Sequence, residues 1–416
     1  MTVPHLDDGI VSEILYRLPT NEAYRLAAVC RQWRAVLSQP TFLCRHLSPR
    51  PLPLLDDRPY ALIIQPRWKV GFTHLTLVAF DPANSVRVRV PVQPKYTSAH
   101  APEHPAASPM ETAPFAMKVE EYVVFFERTV PMLDISVVAS HGRLLLCRSR
   151  VRYYVCDPAA NRWLALPPST ISQSSMANSG LHYDVDESTG RFVFTVVHLV
   201  RCRRRRVLVE TFSSASGRWD ARELAAPGVA RCLPSRDESP GIHVGMCFYW
   251  LTRRWGGGRR RIISYDATHC RVSVLHEPPL AEKAKDRMGR SLGSVGGRLR
   301  LCAYDIREDS ESMLPSGHNH YMQGVHGVWL MDAASVWRRV HEAVVQDVST
   351  YYSILIEEPP VDLAGASGEF IVLEKLKRLL RYNLESGSKV ELVNLEIGGI
   401  WRSKLYRHYN AFPFFK

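Results

Sequence analysis

Apolar residues recur every fourth position at the start of this chain, then in short alternating bursts through most of the remainder. Leu6, Ile10, Ile14 and Leu18 form the four-residue series, and Val11 and Leu15 widen it into a stripe. That period is helical. Asp7 and Asp8 stand where an N-cap and a first-turn acid belong. Pro19 bars continuation, because it lacks an N–H and disfavours helix in the residue before it. Thr20 can cap a second helix with Glu22 in its first turn. There Ala23, Leu26, Ala27 and Cys30 share one face, and Val29 and Trp33 an adjoining one. Helicity is expected to run to about Leu37, where "SQPTF" ends it. Two or three such helices cannot bury this much apolar surface within about 40 residues. They are expected to dock on something else, either the rest of the chain or another protein.

From about residue 60 the texture becomes strand and turn: Val, Ile, Leu and aromatic runs bounded by Gly, Asp, Pro and Asn. A repeat organises these runs. Its copies are "VAFDPANSVRV" (78–88), "YVCDPAANRWLAL" (154–166), "ETFSSASGRWDAR" (210–222), "ISYDATHCRVSVL" (263–275), "WLMDAASVWRRV" (329–340) and "LRYNLESGSKVEL" (380–392). A short polar residue closes a strand at Asp81, Asp157, Ser213, Asp266, Asp332 and Asn383. In three copies Trp163, Trp219 and Trp337 follow five or six residues later, where the next strand would begin. This is hairpin chemistry. A second signature, a Gly leading into an apolar strand, precedes most copies, as in "HGRLLLC" (141–147) and "VGMCFYWL" (244–251). The turn positions lie 51 to 76 residues apart, which suits four-stranded propeller blades. A two-sheet sandwich would not favour a unit of this length recurring six times. Six or seven blades are expected, closed by pairing a terminal strand with the opposite end of the chain, since an open ring leaves edges. The segments 92–114 and 307–324 read as surface insertions, and the Pro-rich stretch 48–59 as a semi-rigid linker. The expected division is therefore a small all-α unit over 1–47, the linker, and an all-β propeller over 60–416.

Composition narrows the class. Of 416 residues 46% are hydrophobic, enough for a large core, and no apolar run approaches the roughly 18 residues of a membrane span. The opening "MTVPHLDDGI" lacks the basic-then-apolar order of a secretory signal. Nine cysteines without a Cys-x-x-Cys pair suit a reducing compartment. An intracellular protein is expected, in cytoplasm, nucleus or both. The net charge is +12, with much of the arginine in "RCRRRR" (201–206) and "RRWGGGRRR" (253–261). Solvated loop tips explain these runs better than a nucleic-acid surface, because no aromatic interleaving or binding motif accompanies them.

Catalytic constellations are missing from the sequence. There is no His-Glu-x-x-His, Gly-x-Ser-x-Gly or phosphate-binding loop. "HNH" (318–320) offers imidazoles without a completing carboxylate or thiol, and the recurrent Asp residues are turn formers. No cofactor or metal is expected. A propeller whose catalytic groups converge from separate blades remains an alternative invisible to motif reading.

Residues 6–47 carry one sharp resemblance. Glu13-Ile14-Leu15, Arg17-Leu18-Pro19, Arg25, Val29-Cys30-Arg31, Trp33-Arg34 and Pro40-x-Phe42 fall in register with the F-box. Asp7 stands where the family usually has Pro. The remainder resembles the degenerate kelch-related propellers attached to many plant F-box proteins. The resemblance implies a non-catalytic substrate receptor of a Skp–cullin–F-box ubiquitin ligase. The F-box would bind the Skp-family adaptor and, through it, cullin and RING protein; the propeller would hold an unknown protein substrate. Implied adaptor-binding residues are Leu6, Ile10, Ile14, Leu15, Leu18, Pro19, Leu26, Val29, Cys30 and Trp33. Val29, Cys30 and Trp33 can instead hold the F-box helices together, the reading preferred for Cys30. The alternative function is an adaptor-independent scaffold or nucleic-acid-binding protein using the arginine-rich loops.

Overall fold

A computed structural model of the chain describes residues 6–18, 20–47, 61–66, 74–79, 88–91, 136–149, 152–158, 162–169, 177–186, 191–202, 206–233, 240–252, 261–279, 284–313, 320–345, 361–362, 370–375, 378–394 and 409–414. Pro19, the linker, the insertion 92–114, Asp81 and most of both arginine runs lie outside the described residues.

Four short helices open the chain: α1 (Asp8–Arg17), α2 (Thr20–Leu26), α3 (Arg31–Leu37) and α4 (Pro40–Leu47). Asp7 caps α1, its carboxylate accepting from the Gly9 N–H at 2.8 Å. Cys30 caps α3: its Sγ accepts from the Trp33 N–H at 3.4 Å, so the Cys-x-x-Trp spacing is capping geometry. The fourth helix corrects the expectation that helicity ends at "SQPTF". Pro40 occupies the first helical turn, where its missing N–H costs nothing and its fixed φ favours helix, so it starts a helix as readily as it stops one.

Among the described residues, the β region forms six four-stranded antiparallel sheets. Blade 2 runs β4 (Ser136–His141), β5 (Leu144–Arg148), β6 (Tyr153–Asp157), β7 (Arg162–Ala165). Blade 3 is β8 (Asn178–Asp186), β9 (Arg191–Arg201), β10 (Arg206–Ser213), β11 (Arg218–Ala225). Blade 4 is β12 (Ile242–Val244), β13 (Cys247–Leu251), β14 (Arg261–Asp266), β15 (Arg271–His276). Blade 5 is β16 (Ala284–Val295), β17 (Arg298–Met313), β18 (His320–Met331), β19 (Trp337–Val345). Blade 6 is β20 (Val361–Asp362), β21 (Phe370–Lys375), β22 (Arg378–Asn383), β23 (Lys389–Asn394). Blade 1 combines β1 (Ala61–Pro66), β2 (His74–Ala79) and β3 (Val88–Pro91) with the last strand, β24 (Tyr409–Phe414). Strand β24 pairs antiparallel with β1 across Ala61↔Phe414 to Pro66↔Tyr409, which ties the two ends of the ring. A short helix, α5 (Pro227–Cys232), packs Val229 and Ala230 into the core between blades 3 and 4.

The repeat marks the hairpin between each blade's third and outer strands. Asp266 Oδ1 accepts from the N–H groups of Thr268 and His269, Asp332 Oδ1 from Ala334 and Val336, and Asn383 Oδ1 from Glu385 and Ser386. Asp157 is fully buried and pairs with Arg143 at 2.7 Å. The glycine signature lies in the tight turn after the innermost strand, with positive φ at Gly142, Gly245, Gly296 and Gly297. The polar stretch 307–324 is not a simple surface loop. In its described part β17 and β18 continue as a ribbon, pairing Arg307↔Gln323 through Met313↔His320.

The recurring Trp holds neighbouring blades together. Trp219 Nε1 donates to the Pro167 carbonyl, and Trp337 Nε1 to the His276 carbonyl, each at 2.9 Å. Both acceptors lie at the end of the preceding blade's outer strand. Trp337→Phe keeps most of the ring's packing but removes the donor, so a loss of about 0.5–1.5 kcal/mol is expected. The shift of the urea unfolding midpoint measures it; an unchanged midpoint would deny the bond any net worth.

Candidate functional site: a helical module clamped to the propeller

The N-terminal helices have two apolar sides with different fates. Val11, Leu15, Ala23, Val36, Leu37, Phe42 and Leu47 are buried in one continuous core with blades 2 and 3. Leu18, Leu26 and Trp33 are half-buried against that core. Leu15 lies wholly inside the chain, on the side of α1 that packs toward α3 and α4 rather than on the outer face. Leu6, Ile10, Ile14 and Val29 remain 45%, 53%, 39% and 63% exposed, four of the seven large exposed hydrophobics among the described residues. Ile10 and Ile14 lie one turn apart on α1, and Leu6 immediately precedes the Asp7 cap. The Gln32 side chain donates to the Leu6 carbonyl and to Asp8 Oδ1. This bond sets the start of α3, with exposed Val29 and Cys30 just before it, beside the start of α1. Of the ten residues expected at an adaptor surface, Leu6, Ile10, Ile14, Val29 and Cys30 are thus brought to the open side.

The seam is polar at its centre. Arg162, at the start of β7, donates to the His46 carbonyl at 2.7 Å, to His46 Nδ1 at 3.3 Å and to the Tyr16 carbonyl at 3.5 Å. With Nδ1 accepting, His46 carries its proton on Nε2, which faces Thr20 Oγ1 at 3.1 Å. The guanidinium groups of Arg45 and Arg162 lie 4.3 and 5.2 Å from the Tyr16 ring centroid, and Arg45 also pairs with Glu13. Trp163, the next residue on β7, stacks on Tyr24 of α2 with ring centroids 4.9 Å apart and planes within 5°. The Tyr24 phenol hydrogen-bonds the Ala165 backbone, and burial pushes its pKa up. Trp163 holds the position from which Trp219 and Trp337 reach a preceding blade; here that position grips the helices. Pro40 meets the blade 3 hairpin at Gly217, where a Cβ would come within 2.8 Å of its Cγ and φ is +65°.

Burial, with the Arg162 charge beside it, lowers the His46 pKa from 6.5 to about 4. The unfolded chain therefore takes up the proton first. The stability supplied by neutral His46 is complete above pH 6.5 and is lost as pH falls toward 4. That loss is about 3 kcal/mol over the window, on the scale of about 1.4 kcal/mol per unit. His198 and His243, each lowered by burial to about 3, add losses of the same sign. Thermal midpoints measured from pH 7 to 4 should fall more steeply in the wild type than in His46→Leu. Parallel curves would contradict this.

A second cluster was not foreseen. His141 ends β4, His182 lies in β8 and His243 in β12, on the innermost strands of three successive blades. One ring nitrogen from each lies within 4.8 Å of the others, the one such grouping among the described residues. His182 Nδ1 and His243 Nδ1 are 3.2 Å apart, and His141 Nδ1 accepts from the Tyr183 N–H at 2.9 Å. Burial lowers the pKa of all three rings. The available signal was a repeated Gly-x-His on inner strands, Gly180-Leu181-His182 and Gly241-Ile242-His243. The sequence's other histidine candidate, "HNH", lies mostly outside the described residues; only His320 is described, at the start of β18.

Fold and seam together define a class: a small helical interaction module fixed to the rim of a propeller with six blades among the described residues, one apolar side left open. Comparisons with known proteins agree at both ends. Residues 3–45 match the F-box domain, and residues 111–312 match the family described as "F-box protein At3g26010-like, beta-propeller". "F-box protein At5g03970" of Arabidopsis thaliana is 23% identical over 287 residues, covering 67% of this chain and 59% of its own length. "Putative F-box protein At3g17490" of Arabidopsis thaliana is 36% identical over 67 residues, 15% of this chain and 17% of that protein. Among solved structures, a Synechocystis apocarotenoid oxygenase mutant aligns with a TM-score of 0.30 at 10% identity, over 62% of this chain and 58% of that one, a likeness too low to carry an argument. The chain belongs to the F-box proteins that carry a β-propeller behind the F-box.

Proposed function

We propose that the chain is the substrate-recognition subunit of a Skp–cullin–F-box ubiquitin ligase. The observation that carries this reading is the concentration of exposed apolar side chains on one side of the F-box, while the other side is buried in its own propeller. Leu6, Ile10, Ile14 and Val29, with Cys30 beside them, form the surface for a Skp-family adaptor, which links the chain to cullin and RING protein. The propeller then holds a protein substrate at a fixed orientation, because the seam makes F-box and propeller one body. Such a subunit works by proximity, raising the local concentration of substrate lysines near a charged conjugating enzyme, and needs no nucleophile of its own. The reading places the protein in the cytoplasm or nucleus; no described helix is long and apolar enough to cross a membrane. The test is reconstitution of the full chain with a purified Skp-family adaptor. A one-to-one complex on size exclusion is expected, and separate elution with adaptor in excess would contradict the reading. Affinity purification under proteasome inhibition then names the substrate.

A further inference from the structure

The three histidines on the inner strands invite a chemical reading that neither the F-box nor the propeller repeat requires. The inner strands of a propeller border its axis, so side chains from successive blades converge there. His141, His182 and His243 do so, with ring centroids 5.2 Å (His141–His182), 3.9 Å (His141–His243) and 4.7 Å (His182–His243) apart. A buried apolar filler would serve packing better than three imidazoles whose nitrogens face one another.

The spacing is that of a coordination edge. In a tetrahedral site with metal–nitrogen bonds of about 2.0–2.1 Å, adjacent ligand nitrogens are about 3.3 Å apart. The His182 and His243 Nδ1 atoms, at 3.2 Å, already have that separation. Without an ion, one Nδ1–H of this pair donates to the other. Binding an ion between them moves that proton to the far nitrogen of the same ring, so both ligands remain neutral and no net proton is released. His141 supplies the third nitrogen, within 4.8 Å of the pair. Its Nδ1 now accepts from the Tyr183 N–H. Coordination through Nδ1 exchanges that bond for the metal and closes the remaining gap by a side-chain shift of about 1 to 1.5 Å, the difference between the longest spacing and a tetrahedral edge. The outer surroundings suit ligands: the His243 ring hydrogen-bonds the Gly245 backbone, the kind of contact that orients a ligating imidazole. Asp184, two residues along β8 on the same face as His182, acts on that ring electrostatically. Three neutral imidazoles without a thiolate select borderline first-row ions over calcium or magnesium.

We propose that His141, His182 and His243 form a three-imidazole site for a divalent first-row transition ion of the zinc class, on the propeller axis, with the fourth position open. Each ring keeps some exposure, and the fourth position would take water or a carboxylate or imidazole from a bound protein.

The experiment uses the full chain, stripped with a chelator, with Zn2+ and Co2+ as probes. Equilibrium dialysis should retain one Zn2+ per chain in the wild type. His182→Asn/His243→Asn should weaken retention at least 100-fold, and His269→Ala, which removes an exposed imidazole elsewhere, should leave it unchanged. Co2+ bound to the wild type should show the intense visible absorption of a tetrahedral site, a readout that needs no variant to fold. Equal Zn2+ retention by wild type and the double variant would overturn the proposal. So would weak, octahedral-type Co2+ absorption in the wild type, which would leave the rings as a neutral stack.

Discussion

Ile10→Asp is expected to abolish capture of the Skp-family adaptor while leaving the chain folded. Ile10 is more than half exposed in the middle of the α1 series, so a carboxylate there is hydrated in the free chain and costs the fold little. In the complex the same carboxylate would be buried without a partner, a penalty of about 3–5 kcal/mol. That corresponds to a loss of affinity of about 100-fold or more. The position is more telling than Leu18, whose side chain packs against the internal core. A charge at Leu18 would unfold the module and lose the adaptor for the wrong reason. Calorimetry of the adaptor with wild type and Ile10→Asp, beside matched melting curves, separates the two effects. Undiminished affinity in a folded Ile10→Asp chain would remove α1 from the interface.

Trp163→Ala should release the F-box from the propeller. The indole is almost fully buried between the Tyr24 ring and Tyr154, and removing a buried aromatic of this size costs about 3–5 kcal/mol. The cost falls on the seam, because the stacked partner on the F-box side is Tyr24. Hydrogen exchange should therefore accelerate across α2 and α4 and stay unchanged in β13 and β14 of blade 4. Trp163→Phe, which retains an aromatic face, should restore most of the protection. Uniform acceleration through every blade would mean that Trp163 supports the propeller itself and not the clamp.

The sequence made the repeat legible because the turn residues act locally. Asp266, Asp332 and Asn383 accept from N–H groups two to four residues away, so their meaning does not depend on the rest of the fold. The F-box was legible through a spaced pattern whose physical content is now visible in part, as with the Cys30 cap on α3. The two sides of α1 were not separable. Leu6, Ile10 and Ile14 look out, whereas Val11 and Leu15 look inward; in sequence all five belong to one broad stripe. Only the packing of α3 and α4 on α1, with α2 and α4 set against the blades, assigns the sides. Trp163 looked equivalent to Trp219 and Trp337, and its different role comes from the helices beside blade 2. Pro40 carried two opposite local meanings, helix stop and first-turn residue, and tertiary packing of Phe42 and Leu47 selected the second. The histidine cluster was illegible for a geometric reason. Its members are 41 and 61 residues apart in sequence, and only the ring of blades makes them neighbours.

The central claim is that one F-box face is closed by the propeller and the other is open for an adaptor. Hydrogen exchange of the full chain, with and without saturating Skp-family adaptor, tests it most directly. The account predicts new protection in residues 6–14 and 28–34, with the seam around Tyr24, His46 and Trp163 already slow and unchanged. Protection appearing at the seam while residues 6–14 exchange as before would contradict it.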